Sequence, residues 1–273
     1  MGARARPVRL DDGDLLTLDR LLDEQDIRPL LKTQTGRIHI YKTLESTNIT
    51  AKALAADGAA HGDAVIAHTQ TAGRGRLGRA FASPRGGLYM SVIAEPRVMG
   101  LSSATWITAA AAVAVCRAVE NVAGTLGLTD VKPRVKWVND VFTDGKKVCG
   151  ILTEAVGGER CVVGIGVNVS SAPQGLDGVA GAVFQGAGDG VHARLAAELL
   201  NLLTPRGAWA DARALREEYK ARMFILGQTV TVTMPDRTFQ AVAEDVDEEG
   251  RLIVQKPCGA REALRYGEVS VKV

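Results

Sequence analysis

The chain has 273 residues, 46% of them apolar, and a formal net charge of +2 at pH 7. This is ample core for a main domain with a small companion, and the charge is too mild to argue for nucleic acid or a membrane surface as partner. Cys116, Cys149, Cys161 and Cys258 lack C-x-x-C spacing, which indicates neither a zinc site nor a disulfide framework, and Met1–Leu10 is basic without the apolar stretch of a signal peptide.

The first periodic segment, Asp11–Leu31, has Leu15, Leu18, Leu21 and Leu22 with acids between them and reads as one amphipathic helix. Ile38–Tyr41 reads as a strand. In Glu45-Ser46-Thr47-Asn48, Ser46 or Thr47 can cap a helix that ends at Gly58. A helix N-terminus with spare hydroxyls and an amide also suits the polar head of a ligand. The strand Ala64–His68 leads through Gln70 into Thr71–Arg79, TAGRGRLGR, with Ser83-Pro84-Arg85-Gly86-Gly87 close behind. Glycines let backbone N–H groups approach a ligand, and arginines add charge that is permanent at any working pH, so the loop suits an anion.

Gly73, Gly75 and Gly78 match G-x-G-x-x-G, but Pro84, Gly86, Gly87 and the strand-like LYMSVI leave no room for the helix a dinucleotide site needs. No G-K-[ST] closes the run, which excludes a P-loop. On the loop alone, a basic patch for nucleic acid and a solvated hairpin both stay open.

Ala104–Cys116 reads as a buried Ala-rich helix, capped near Ser102 or Ser103 and too short to span a membrane. Arg134–Val141, RVKWVNDV, reads as an apolar strand with Lys136 in its middle. Asp144-Gly145 is a hairpin turn, Val148–Glu154 a return strand, and Gly157-Gly158 a second turn into Cys161–Val169. The expectation is a three-stranded antiparallel meander. Glycine weakens a strand unless a ligand or another backbone comes close, so Gly150, Gly164 and Gly166 beside Lys136 favour a ligand-facing lysine. Helices at His192–Leu203 and Ala208–Met223 follow. After Gly227, TVTVT, RTFQAVAEDV, RLIVQ and YGEVSVKV are short alternating strands of a small β-barrel.

The ordered motifs S-T-N (Ser46–Asn48), Q-x-A-G-R-G-R-x-G-R (Gln70–Arg79), S-P-x-G-G-L-Y (Ser83–Tyr89), K-W-x-N-D (Lys136–Asp140), G-I-L-x-E (Gly150–Glu154) and G-I-G-x-N (Gly164–Asn168) resemble the catalytic domain of biotin–protein ligases. The resemblance implies an α+β fold, a mixed and largely antiparallel sheet flanked by helices as in class II synthetases, with a small C-terminal SH3-like barrel. It divides the chain into an N-terminal helical segment (1–36), a catalytic domain (37–224) and the C-terminal domain (225–273). It implies activation of biotin with MgATP to biotinyl-5′-AMP, then transfer to a lysine of a biotin carboxyl carrier domain.

By the same resemblance Lys136 and Arg76 are catalytic. Ser46, Thr47, Asn48, Gln70, Gly73, Arg74, Gly75, Arg76, Arg79, Phe81, Lys136, Gly150, Gly164, Gly166 and Asn168 bind biotin or the adenylate. Asn168 is expected near the phosphates or the metal, and no metal ligands are assigned. Phe81 stands where the family has Trp, and Val138 where it has Pro, which is expected to relax the backbone beside Asn139. The segment before Tyr41 is too short for the repressor's winged helix-turn-helix, so the expected protein is a cytoplasmic ligase without specific DNA or membrane partners and with room for a homodimer. The alternatives are a lipoate–protein ligase, and a nucleic-acid binder using Arg74, Arg76, Arg79 and Arg85. The absence of a wider basic stripe weighs against the latter.

Overall fold

Runs of apolar residues too continuous for a one-sided sheet, such as Leu88–Ala94 and Cys161–Val167, are buried along their whole length because helices and loops cover both faces. The computed structural model describes residues 22–33, 35–101, 104–176 and 178–271. In chain order it runs α1 (Glu24–Ile27), β1 (Ile38–Leu44), α2 (Thr47–Ala56), β2 (Ala64–Gln70), β3 (Gly87–Ala94), α3 (Pro96–Met99) and α4 (Ala104–Thr125). Next come β4 (Arg134–Lys136), β5 (Asp140–Thr143), β6 (Lys146–Ala155), β7 (Cys161–Asn168), α5 (Asp189–Leu203) and α6 (Ala212–Arg222). Last are β8 (Thr229–Thr233), β9 (Thr238–Val246), β10 (Leu252–Gln255), β11 (Arg261–Leu264) and β12 (Glu268–Val271).

The main sheet has the order β1-β2-β3-β7-β6-β5-β4, parallel only between β1 and β2. Side chains alternate across it. Ala64, Ile66, Met90, Val92, Val163, Ile165 and Val167 point into the large core, which includes α4 and α5, whereas Val65, Ile93 and Val162 pack with Ala51 and Ala55 of α2. The short α2 covers only part of its face. Beyond it the floor is Gly164, Gly166 and Gly150, and there a cleft opens.

Three expectations change. Of the helix expected over Asp11–Leu31, residues 11–21 lie outside the described residues. The rest is the single turn α1, capped by Asp23, and a 3-10 turn Arg28–Leu30 containing Pro29, which lacks the N–H a continuing helix needs. The helix expected to stop at Cys116 runs on to Thr125, because Val119, Val122 and Ala123 keep its apolar face going. By length and composition α4 could cross a membrane, yet 72% of its apolar window is buried inside the protein. Its expected cap at Ser102 or Ser103 lies outside the described residues.

The third change matters most. RVKWVNDV is two antiparallel strands, β4 and β5, folded back at Trp137-Val138-Asn139. The Trp137–Val138 peptide is cis, so Val138 does not relax this turn to an ordinary trans backbone. The expected three-stranded meander therefore has four strands. Asp140, not Lys136, comes to lie opposite Gly150, and Lys136 moves to the edge strand. The expected Asp144-Gly145 hairpin turn forms, with φ of 50° and 73°.

The five strands β11-β10-β9-β8-β12 make an antiparallel C-terminal sheet. It shares the main core and is tied to the first sheet by indoles: Trp106 Nε1 donates to Glu248 O at 2.8 Å and Trp137 Nε1 to Gly250 O at 3.2 Å.

Candidate active site

The cleft floor depends on missing side chains. Gly150 and Gly166 are partners across β6 and β7, and the ring of Phe81 rests on both. A Cβ at Gly166 would lie 2.4 Å from Phe81 Cε1, and one at Gly150 would lie 2.9 Å from Cε2. A Cβ at Gly164 would lie 2.0 Å from Asn48 Oδ1. Here glycine is required by close approach.

The N-terminus of α2 forms one wall. Ser46 takes the N-cap position, but its hydroxyl makes no capping bond. Thr47 N and Thr47 Oγ1 donate to Gln70 Oε1 at 2.8 and 3.1 Å, and Gln70 Nε2 donates to Ser83 Oγ at 2.7 Å. The fully buried Ser91 Oγ donates to Asn48 Oδ1 at 2.6 Å and lies 2.8 Å from Thr47 Oγ1. Asn48 Nδ2 donates to Glu154 Oε2 at 2.8 Å, and Lys52 Nζ contacts Glu154 Oε1 at 3.0 Å. Burial pushes the Glu154 carboxyl up, but the hydrogen bonds from Asn48 and Lys52 and the Lys52 charge outweigh it and leave it below its usual value. Such a network holds its polar groups at fixed positions.

The arginine loop is a hairpin folded over the cleft. Gly75 N donates to Arg79 O and Phe81 N to Gly73 O, both at 2.8 Å. At its tip Leu77, with φ of 56°, is 69% exposed. Arg76 Nη1 donates to Asn139 Oδ1 at 3.1 Å, and Arg79 pairs with Glu268 of β12. Burial lowers the Arg76 pKa, and nearby Asp140 partly opposes that shift. With the loop down, the cleft holds about 130 Å³, below the ~300–1,000 Å³ of pockets that take drug-sized ligands. A large ligand requires the loop and Phe81 to lift.

Ser46, Thr47, Asn48, Gln70, Arg74, Gly75, Arg76, Arg79, Phe81, Gly150, Gly164 and Gly166 all line this cleft. Lys136, Gly73 and Asn168 do not. Lys136 Nζ stands 5.5 Å from the centre of the Phe142 ring and faces a separate hollow, a consequence of the extra turn between β4 and β5. Gly73 is buried within the loop, where a Cβ would lie 2.3 Å from Phe81 O. Asn168 Nδ2 donates to Gly181 O at 3.0 Å, at the end of β7 opposite Gly87.

The lysine that does enter the cleft is Lys147, 2.8 Å from Asp140 Oδ1. Sequence reasoning misses Lys147, Ser91 and Glu268 and assigns no role to Asn139 or Asp140, which also line the cleft. A bulge at Val148 conceals Lys147: Val141 pairs with Cys149 but Phe142 with Lys147, so one extra residue turns Lys147 to the same face as Gly150. Among the described residues no group of three or more His, Cys, Asp or Glu side chains could hold a metal by itself. Asp140 and Glu268 are the carboxylates that line the cleft.

Residues 40–170 match the biotin/lipoate A/B protein ligase family, and residues 225–272 match the biotin protein ligase C-terminal domain. The biotin–[acetyl-CoA-carboxylase] ligase of Mycobacterium tuberculosis is 34% identical over 246 residues, covering 86% of this chain and 91% of that protein. The bifunctional ligase/repressor BirA of Bacillus subtilis is 32% identical over 272 residues, 93% of this chain and 81% of that protein. The solved biotin protein ligase of Aquifex aeolicus in complex with biotin and ATP superposes with a TM-score of 0.65 at 24% identity, covering 86% of this chain and 98% of that one.

Proposed function

Since the chain belongs to the biotin/lipoate A/B protein ligase family and is a biotin–protein ligase, we propose how its residues divide the reaction. The biotin carboxylate attacks the α-phosphorus of ATP, biotinyl-5′-AMP forms and pyrophosphate leaves. The ε-amine of a lysine on a carboxylase carboxyl carrier protein then attacks the acyl carbonyl, the amide forms and AMP leaves.

The first step brings two anions together. Lys147 and Arg76 are the cations suited to screen that repulsion and to stabilise charge on the α-phosphoryl group as it develops. Asp140 orients the Lys147 ammonium, and Asn139 orients the Arg76 guanidinium. The nucleophile is the substrate's own carboxylate, so no enzymic Ser or Cys is needed. Ser46, Thr47, Asn48 and Gln70 suit the polar ureido ring, Arg74 and the Gly75 backbone suit the carboxylate, and the flat glycine floor admits the ring system. Arg79 is the loop cation that would exchange its Glu268 partner for the triphosphate. Mg²⁺ would travel with ATP and screen its phosphates, and Asp140 offers it a hard oxygen ligand. Gly73 and Asn168 shape the loop and the end of β7. Closure of the loop excludes water from a mixed anhydride that hydrolyses readily.

This reading takes 1–36 as a helical segment, 37–224 as the catalytic domain and 225–273 as the C-terminal domain. It takes the protein as cytoplasmic, with room for a homodimer and no part for specific DNA or a membrane. What carries the assignment of roles is the meeting of Lys147, Asp140 and Arg76 over a glycine floor in one cleft. The test is incubation with biotin and MgATP, followed by mass spectrometry for biotinyl-AMP and for a biotinylated carrier domain. A protein that turns over lipoate and not biotin would overturn the substrate.

A further inference from the structure

A second hollow, of about 480 Å³, lies beside the cleft and takes no part in the chemistry described above. Lys132, Arg134 and Lys136 line it. They occupy alternate positions at and before β4, so their side chains share one face at intervals of about 6.6 Å. Among the described residues none of the three meets a carboxylate within ion-pair distance, although Asp144 stands at the rim. The floor is apolar: Phe142 and Phe224 meet edge to face with ring centres 5.3 Å apart. The Lys136 ammonium stands over the Phe142 ring.

The hollow is continuous with the cleft in two ways. Lys136 pairs across the sheet with Asp140, and Asp140 with Gly150, so the cation row and the glycine floor share one sheet face. Strand β12 borders both, Glu268 walling the cleft and Ser270 and Val271 the hollow. A macromolecule delivering a reactive group to the cleft along this face therefore passes over Lys132, Arg134 and Lys136.

We propose that this hollow docks an acidic, extended segment of the protein acceptor, its carboxylates at alternate positions facing Lys132, Arg134 and Lys136. The assignment rests on the ligase reading, which requires a protein as second substrate. An extended chain repeats its side chains on one side at the same interval as the cations, and unpaired cations around an apolar floor complement acids flanked by aliphatic groups. Single-stranded nucleic acid fits less well, because base stacking needs free ring faces and Lys136 already stands over Phe142.

The test is the full-length double variant Lys132→Glu/Arg134→Glu, assayed separately for pyrophosphate release with biotin and MgATP and for biotinylation of the carrier domain. Unchanged pyrophosphate release establishes that the variant is folded and that the first step is intact. The KM for the carrier domain rises about 10-fold, kcat stays within about twofold, and the salt dependence of carrier KM flattens, as expected for rim charges that steer association. Lys132→Gln/Arg134→Gln gives a smaller rise. An unchanged carrier KM overturns the proposal, as does an equal rise in the KM for ATP, which would assign the hollow to nucleotide. Loss of binding to a single-stranded oligonucleotide at unchanged carrier KM overturns it in favour of nucleic acid. If the wild type forms no biotinyl-AMP, the ligase reading fails first. If the adenylate forms and carrier KM does not move, only the docking assignment fails.

Discussion

Arg76 and Asn139 join the arginine loop to the turn between β4 and β5, Nη1 to Oδ1 at 3.1 Å. Asn139 is a firm anchor: its Nδ2 donates to Ile151 O at 2.9 Å and its own carbonyl accepts from Ile151 N at 2.9 Å. The half-buried guanidinium thus bridges the arginine hairpin and a turn that is itself bonded to β6. This contact ties the loop to the far wall of the cleft.

Arg76→Gly removes that bridge. It is expected to release biotinyl-AMP faster than it slows its formation, and the leaked anhydride then acylates exposed lysines on unrelated proteins. Adenylate dissociation measured beside labelling of serum albumin decides it. Retention equal to wild type with no added labelling assigns retention to other groups.

Lys147→Ala is expected to cut adenylate formation on the order of 100-fold or more, the usual cost of losing one preorganised charge at a transition state. Lys136→Ala keeps adenylate formation within a few-fold, since its ammonium faces Phe142 outside the cleft. Single-turnover pyrophosphate release on both proteins separates the two lysines, and the reverse ranking would restore Lys136 to the reaction.

Much of this site could be read in the chain, and the exceptions have physical causes. The helix after Ser46, the Asp144-Gly145 turn and the three sheet glycines follow from local rules of N-cap position, positive φ and side-chain absence, although the Ser46 hydroxyl makes no capping bond. Lys136 lies outside the cleft: alternation presumes an unbroken strand, and the chain folds back after Trp137. Lys147 was hidden by the bulge at Val148, which inverts the face of every residue before it. Glu268 reaches the cleft from β12 of the other sheet, 189 residues after its partner Arg79, a contact that no local pattern encodes.

Gly164→Ala and Gly166→Ala test the floor differently. At 164 the new methyl collides with Asn48 Oδ1 and breaks its hydrogen bond from the buried Ser91. An unmet buried acceptor costs about 1–3 kcal/mol, so denaturant unfolding should register a loss of that size. At 166 the obstacle is the rim of a half-buried ring that can swing away. Stability then falls less while the KM for biotin rises. Equal stability losses would mean that Phe81 is as firmly held as Asn48.

Glu154 gives a pH dependence with a definite sign. Its folded pKa lies below the ordinary value, so its contribution is fully present above about pH 4.3, the unfolded glutamate value, and is lost as pH falls through the lower folded pKa. Stability of wild type relative to Glu154→Gln is expected to shrink as pH drops from 6 to 3. A constant difference over that window would remove Glu154 from the acid response.

The two indole bonds, Trp106 to Glu248 and Trp137 to Gly250, converge on a single turn of the C-terminal sheet. Trp106 belongs to the central helix, and Trp137 opens the turn that carries Asn139. Removing the C-terminal strands would strand two indole donors and bare the apolar surface beneath them. Heating should accordingly melt the protein in one calorimetric transition, with van't Hoff and calorimetric enthalpies equal. The C-terminal strands are then as necessary to adenylation as to architecture, and an enzyme shortened at residue 224, which also loses Glu268 from the cleft wall, is expected to be inert.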